Sequence, residues 1–134
     1  MQQVTIFALL LLATGAFCSP VKPQVADKFI FDGQLHCRLG NHWCWEVYAY
    51  EHDYNDDDFL NSTKGCRSTE KSTYHVEGKA YGDGLFPMEY ELGLLLKHNC
   101  TRDGQQSKVE LRNVWTAPVG KGKTNKFSMD ITLG

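Results

Sequence analysis

The chain has 134 residues and a formal net charge of −2 at pH 7. That length suits one domain rather than two. So small a charge gives no field to gather nucleic acid or an anionic membrane surface, and the aromatic content points to a packed core rather than disorder.

Residues 1–18 read as a secretory signal. Ile6 to Ala13 is a short apolar run, and Ala16 and Cys18 place small residues at the spacing a signal peptidase recognises. Cleavage is expected after Cys18 or Ala16. The run is too short to span a bilayer, and no later stretch reads as a transmembrane segment. Residues 19–27 carry two prolines and no periodicity, so they read as a loose N-terminal arm. Residues 28–134 then form the domain.

From Phe29 every second residue is apolar or small: Phe29, Phe31, Gly33, Leu35 and Cys37 share one face of a first strand. After a turn at Leu39-Gly40-Asn41, a second strand puts Trp45, Val47 and Ala49 inward. Glu46, Tyr48, Tyr50 and His52 then face outward. Asp53 to Asp58 is an acidic loop. Phe59 to Cys66 is a third strand, and Tyr74 and Val76 centre a fourth that stops at Gly78. Tyr90 to Cys100 alternates most clearly. Its phase points Cys100 inward and Asn99 outward, and Leu95 on the outer side places the strand centrally in its sheet. Val109 and Leu111 mark a sixth strand. Gly120 to Lys126 is a flexible basic loop, and Phe127, Met129, Ile131 and Leu133 alternate in a seventh. Seven short strands with turn signals between them give an all-β, disulfide-stabilised sandwich of prealbumin/immunoglobulin type.

Removal of Cys18 leaves Cys37, Cys44, Cys66 and Cys100. An even number in a small secreted chain favours two disulfides over metal binding. Cys37 and Cys100 both end strands and face inward, so they pair. A hairpin of the second and third strands brings Cys44 near Cys66. The phases conflict, since Cys44 points out while Leu60 would turn Cys66 in; a bulge would reconcile them. The alternative is Cys37–Cys44 with Cys66–Cys100. Asn61-Ser62-Thr63 and Asn99-Cys100-Thr101 are N-glycosylation acceptors, and both asparagines are expected to face solvent.

The chain resembles the nematode transthyretin-like proteins. The residues that carry this are Gly33-x-Leu35-x-Cys37, Asp57-Asp58-Phe59-Leu60, Tyr74 to Gly78, and Tyr90-x-Leu92 through His98-Asn99-Cys100. Cys44 and Cys66 lie outside that pattern. The resemblance implies a secreted prealbumin-like domain with no established catalytic role. It also brings in the related hydroxyisourate hydrolases, but their terminal Tyr-Arg-Gly-Ser motif is replaced here by Asp130 to Gly134.

No catalytic residue, cofactor or metal ligand is assigned. His36-Cys37, His42-x-Cys44 and His98-x-Cys100 have metal-like spacing, but oxidised cysteines do not ligate. The acidic loop lacks the glycine and distal glutamate of a twelve-residue calcium loop and reads as a solvated turn. The lysines of the 120–126 loop read as a solubility feature. What remains is Tyr48, Tyr50 and His52, amphipathic rings of the kind favoured at interfaces. The expectation is a secreted, non-catalytic extracellular protein. It would bind a lipid, a small apolar ligand or a protein receptor through that face, or pair there as a homodimer. The alternatives are a hydroxyisourate-hydrolase-like enzyme and a secreted effector that inhibits a host protein.

Overall fold

The structure, a computed structural model, describes residues 25–54, 56–82, 89–120 and 122–134. The expected signal sequence and most of the expected N-terminal arm lie outside them. The described residues form eight strands: β1 (Asp27–Cys37), β2 (Trp43–His52), β3 (Asp57–Arg67), β4 (Lys71–Ala80), β5 (Glu89–His98), β6 (Ser107–Pro118), β7 (Thr124–Ser128) and β8 (Ile131–Leu133). Among the described residues no helix is long and apolar enough to cross a membrane.

The strands form two four-stranded sheets. In the first, β4 pairs antiparallel with β1, and β7 and β8 pair in parallel with successive parts of the other edge of β1. The second has the order β3-β2-β5-β6, antiparallel throughout. Their apolar faces share one core. Phe29, Phe31, Leu35, Tyr74 and Val76 from the first sheet belong to it, as do Trp45, Val47, Leu92, Leu94 and Leu96 from the second. The contacts across the gap are specific. Phe29 meets Tyr90 edge-on at 4.9 Å, Phe31 lies 5.6 Å from Trp115, and Trp45 Nε1–H donates to Ser72 Oγ at 3.1 Å. Satisfying the indole N–H in this way lets a large apolar ring be buried without an orphaned donor.

Eight strands replace the expected seven because the last one breaks. Phe127 to Leu133 keeps its alternation, but Met129 and Asp130 leave the ladder. Gly33 on β1 explains the break: a Cβ there would lie 1.9 Å from the Met129 carbonyl oxygen. The two backbones approach too closely for a regular pair. Met129 N–H donates to Asp32 O, and Asp130 Oδ1 accepts from Gln34 N–H at 2.8 Å in place of a strand carbonyl.

The boundary of the arm also moves. Asp27 opens β1 and is fully buried. Its carboxylate accepts hydrogen bonds from Tyr90 Oη–H, Gly120 N–H and Lys123 N–H. It therefore ties the start of the first sheet to the second sheet and to Gly120 and Lys123 of the basic loop.

Candidate functional site

The outer face of the second sheet is built by alternation on four strands. On β2 the outward residues are Cys44, Glu46, Tyr48, Tyr50 and His52. β3 aligns with them through the pairs Cys44↔Cys66, Glu46↔Lys64, Tyr48↔Ser62 and Tyr50↔Phe59. β5 aligns through Glu46↔Lys97, Tyr48↔Leu95 and Tyr50↔Gly93.

Tyr48 and Tyr50 are half-buried on this face, with near-parallel rings 6.4 Å apart. Tyr50 continues the row to His52 at 6.2 Å. Phe59, which sequence reading did not assign to the site, joins both tyrosines edge-on at 6.3 and 5.8 Å. It is 57% exposed, the least covered ring of the group. Leu95 lies beside Tyr48, and Lys97 Nζ sits 4.8 Å from the Tyr48 ring centroid, a cation–π arrangement. Glu46, with the smaller contributions of burial and Tyr50, pushes the Tyr48 hydroxyl above its ordinary pKa.

Phe59 reaches the face because β3 bulges. Ala49 pairs with Asn61 and Tyr50 with Phe59, so Leu60 has no partner across the ladder. Leu60 turns inward against Gly78, where a Cβ would come within 2.7 Å of it. The extra residue turns Phe59 outward without disturbing Ser62, Lys64 and Cys66 on the same face.

His52 departs from the expectation of an open ring. It points to the outer face but is only 6% exposed. The ring lies over Gly93, where a Cβ would sit 2.5 Å from Nε2. Nδ1 is 2.9 Å from Asp57 Oδ1, a close polar contact without the alignment of a hydrogen bond. Asp57 in turn receives both Arg112 nitrogens at 2.8 and 2.9 Å. His52 first, and Arg112 with it, hold the Asp57 carboxyl below the usual carboxylate range against the opposing push of burial. His52 thus anchors one end of the aromatic row and offers little surface of its own.

Both disulfides form. Cys37–Cys100 joins the end of β1 to the residues after β5 and so links the two sheets. Cys44–Cys66 bridges directly opposed residues of β2 and β3. The Leu60 bulge resolves the conflict of phase between them. Asn61 is exposed, and its Nδ2 donates to the Glu77 carbonyl at 2.8 Å. Asn99 is half-buried, and its Oδ1 accepts from Cys44 N–H at 2.7 Å. Around the acidic turn, Glu51 of β2, Asp53 and Asp58 of β3 bring carboxylate oxygens within 4.8 Å of one another; Glu51 is buried and both aspartates are exposed.

Fold and site together define a small all-β domain, closed by two disulfides, with an aromatic row on one sheet face. The chain belongs to the family described as Caenorhabditis elegans protein of unknown function (DUF870), matched over residues 32–133. It is similar to an uncharacterized protein of Caenorhabditis elegans, 31% identical over 98 residues that cover 73% of each chain. No solved structure matches it. This family replaces the transthyretin-like assignment, which no match supports. The residues behind that resemblance are strands ending in disulfide cysteines and an acidic turn. Any small disulfide-bonded all-β chain can produce these features.

Proposed function

We propose that this is a secreted, non-catalytic binding protein, and that the outer face of the second sheet receives a protein partner. The reading includes a β-sandwich of prealbumin/immunoglobulin type, supported by two sheets with a shared core and two disulfides. Those disulfides are compatible with an extracellular setting. The carrying observation is Phe59, more than half exposed at the β3 bulge beside Tyr48 and Tyr50. An outer sheet face free of any duty is ordinarily polar, whereas exposed apolar surface rimmed by charge marks interaction sites. Here the rim is Asp57 and Arg112 at one end and Glu46, Lys64 and Lys97 at the other. An open face of this kind fits a flat protein surface better than an enclosed small apolar ligand.

The test is the double substitution Tyr48→Ser with Tyr50→Ser. Capture from extracellular fluid is compared between this variant and the parent, with lipid vesicles and a second copy of the domain as parallel arms. Binding to the protein partner should fall about tenfold or more, the effect of losing about 1.4 kcal/mol. The domain should still fold, with a loss of about 1–2 kcal/mol from the ring pairs removed. Unchanged capture, or a variant that melts far below the parent, overturns the reading.

A further inference from the structure

The two disulfides occupy opposite environments. Cys37 and Cys100 are buried. Cys66 is exposed and Cys44 half-buried, on the outer face of the second sheet. They line a cleft of about 580 Å³ together with Glu46, Lys64, Lys97 and Asn99. A ring nitrogen of His42 lies within 4.8 Å of both sulfurs, and Nδ1 of that ring is held 3.0 Å from Ser68 Oγ. The β2–β3 ladder continues on either side of the bridge, through Trp43↔Arg67 and Trp45↔Gly65. The bond can therefore open without dismantling the strands around it.

We propose that Cys44–Cys66 is a thiol-exchange site for an anionic low-molecular-weight thiol. The incoming thiolate attacks Sγ of Cys66, the more exposed residue of the two. A new S–S bond forms there, the Cys44–Cys66 bond breaks, and its electron pair leaves on Cys44 as thiolate. His42, with a ring nitrogen within reach of both sulfurs, donates the proton that makes Cys44 a thiol. The step reverses when the Cys44 thiolate attacks the mixed disulfide and expels the ligand. Alternatively, a second thiolate takes the ligand off as its own disulfide and leaves Cys66 as a thiol. Lys64 and Lys97 favour a ligand that carries carboxylates. Lys64 is the freer of the two, since Lys97 lies over Tyr48. The cleft shares Glu46, Lys64 and Lys97 with the rim of the aromatic face, but the exchange itself needs no partner bound there.

The experiment uses the oxidised, folded protein near neutral pH with reduced glutathione as probe and cysteamine as its cationic counterpart. Intact mass should show one glutathione adduct, and peptide mapping should place it on Cys66 with Cys37–Cys100 retained. His42→Ala should slow adduct formation about tenfold with both thiols. Lys64→Glu should slow it about threefold with glutathione and not with cysteamine. Circular dichroism verifies that each variant is folded. Absence of an adduct on the native protein, loss of both bridges together, or an unchanged rate in His42→Ala overturns the proposal. Equal slowing of both thiols in Lys64→Glu removes the preference for an anionic ligand.

Discussion

Asp27 has no exposed surface, yet it keeps its charge. Burial alone pushes its carboxyl up, but N–H groups of Lys123, Gly120 and Gly122 and the Tyr90 hydroxyl outweigh that and hold it below the usual carboxylate range. A carboxyl whose pKa is lowered in the fold contributes stability that is present above its unfolded value of about 3.9. That contribution is lost as pH falls through the folded value. Asp27→Asn should cost about 1–3 kcal/mol at neutral pH, because one acceptor becomes a donor facing N–H groups. It should also flatten the acid limb of the stability curve, measured by urea titration from neutral to low pH. His98 acts through its neutral form. It is 6% exposed, its Nδ1 has no hydrogen-bond partner, and burial lowers its pKa. The unfolded chain then binds a proton more readily than the folded one. Stability should fall as pH drops below about 6.5, the unfolded value, and level off below the folded value. His98→Leu should remove that part of the slope between neutral and mildly acid pH. An unchanged slope in the variant would show that His98 does not carry it.

At the scale of the element, the strands on which period-two alternation was read can be recovered from the sequence. Each buries one face, and a slip of one residue would turn its apolar set to water. β1 and β5 show this best, with Phe29, Phe31, Leu35 and Cys37, and Tyr90, Leu92, Leu94 and Leu96, all buried. Where the reading stops, the cause lies on another strand. Phe59 joins the aromatic row because Leu60 bulges inward against Gly78, and the sequence registers this only as conflicting phases at Leu60 and Cys66. His52 is covered because Gly93 on β5 has no side chain to keep it off the sheet. Neither relation is visible along one strand. The division of β7 from β8 is of the same kind, since alternation alone carries on through Met129. It rests on the close approach of Gly33 and on Asp130 serving Gln34 N–H. Asp130→Ala should therefore speed hydrogen exchange at the Gln34 amide and cost about 1 kcal/mol, the net worth of one hydrogen bond. Amides of β4, on the other edge of β1, should keep their protection. If Gln34 exchanges at the parental rate, Asp130 does not hold the junction.

For the whole molecule, the two disulfides constrain different things. Cys37–Cys100 closes a sequence separation of 63 residues, and Cys44–Cys66 closes 22. The longer closure removes more freedom from the unfolded chain. Chain entropy assigns about 4.3 kcal/mol to the first and about 3.4 kcal/mol to the second. The native-state setting widens that gap. Cys37 and Cys100 are buried where the two sheets meet, so replacing them also removes packed sulfur from the core. Cys44 and Cys66 lie on an outer face, between strands already held by ladder pairs on either side of the bridge. Replacing Cys37 and Cys100 together by Ala should lower the denaturation midpoint markedly and loosen the contact between sheets. Fluorescence of Trp45, which spans the gap to Ser72, would report that change. Replacing Cys44 and Cys66 by Ser should leave a folded domain with a smaller loss, and hydrogen exchange should rise along the edge strand β3 rather than in β1 or β5. Equal losses for the two pairs, or the larger loss for Cys44 with Cys66, would mean that the β2–β3 hairpin, and not the junction of the sheets, limits stability.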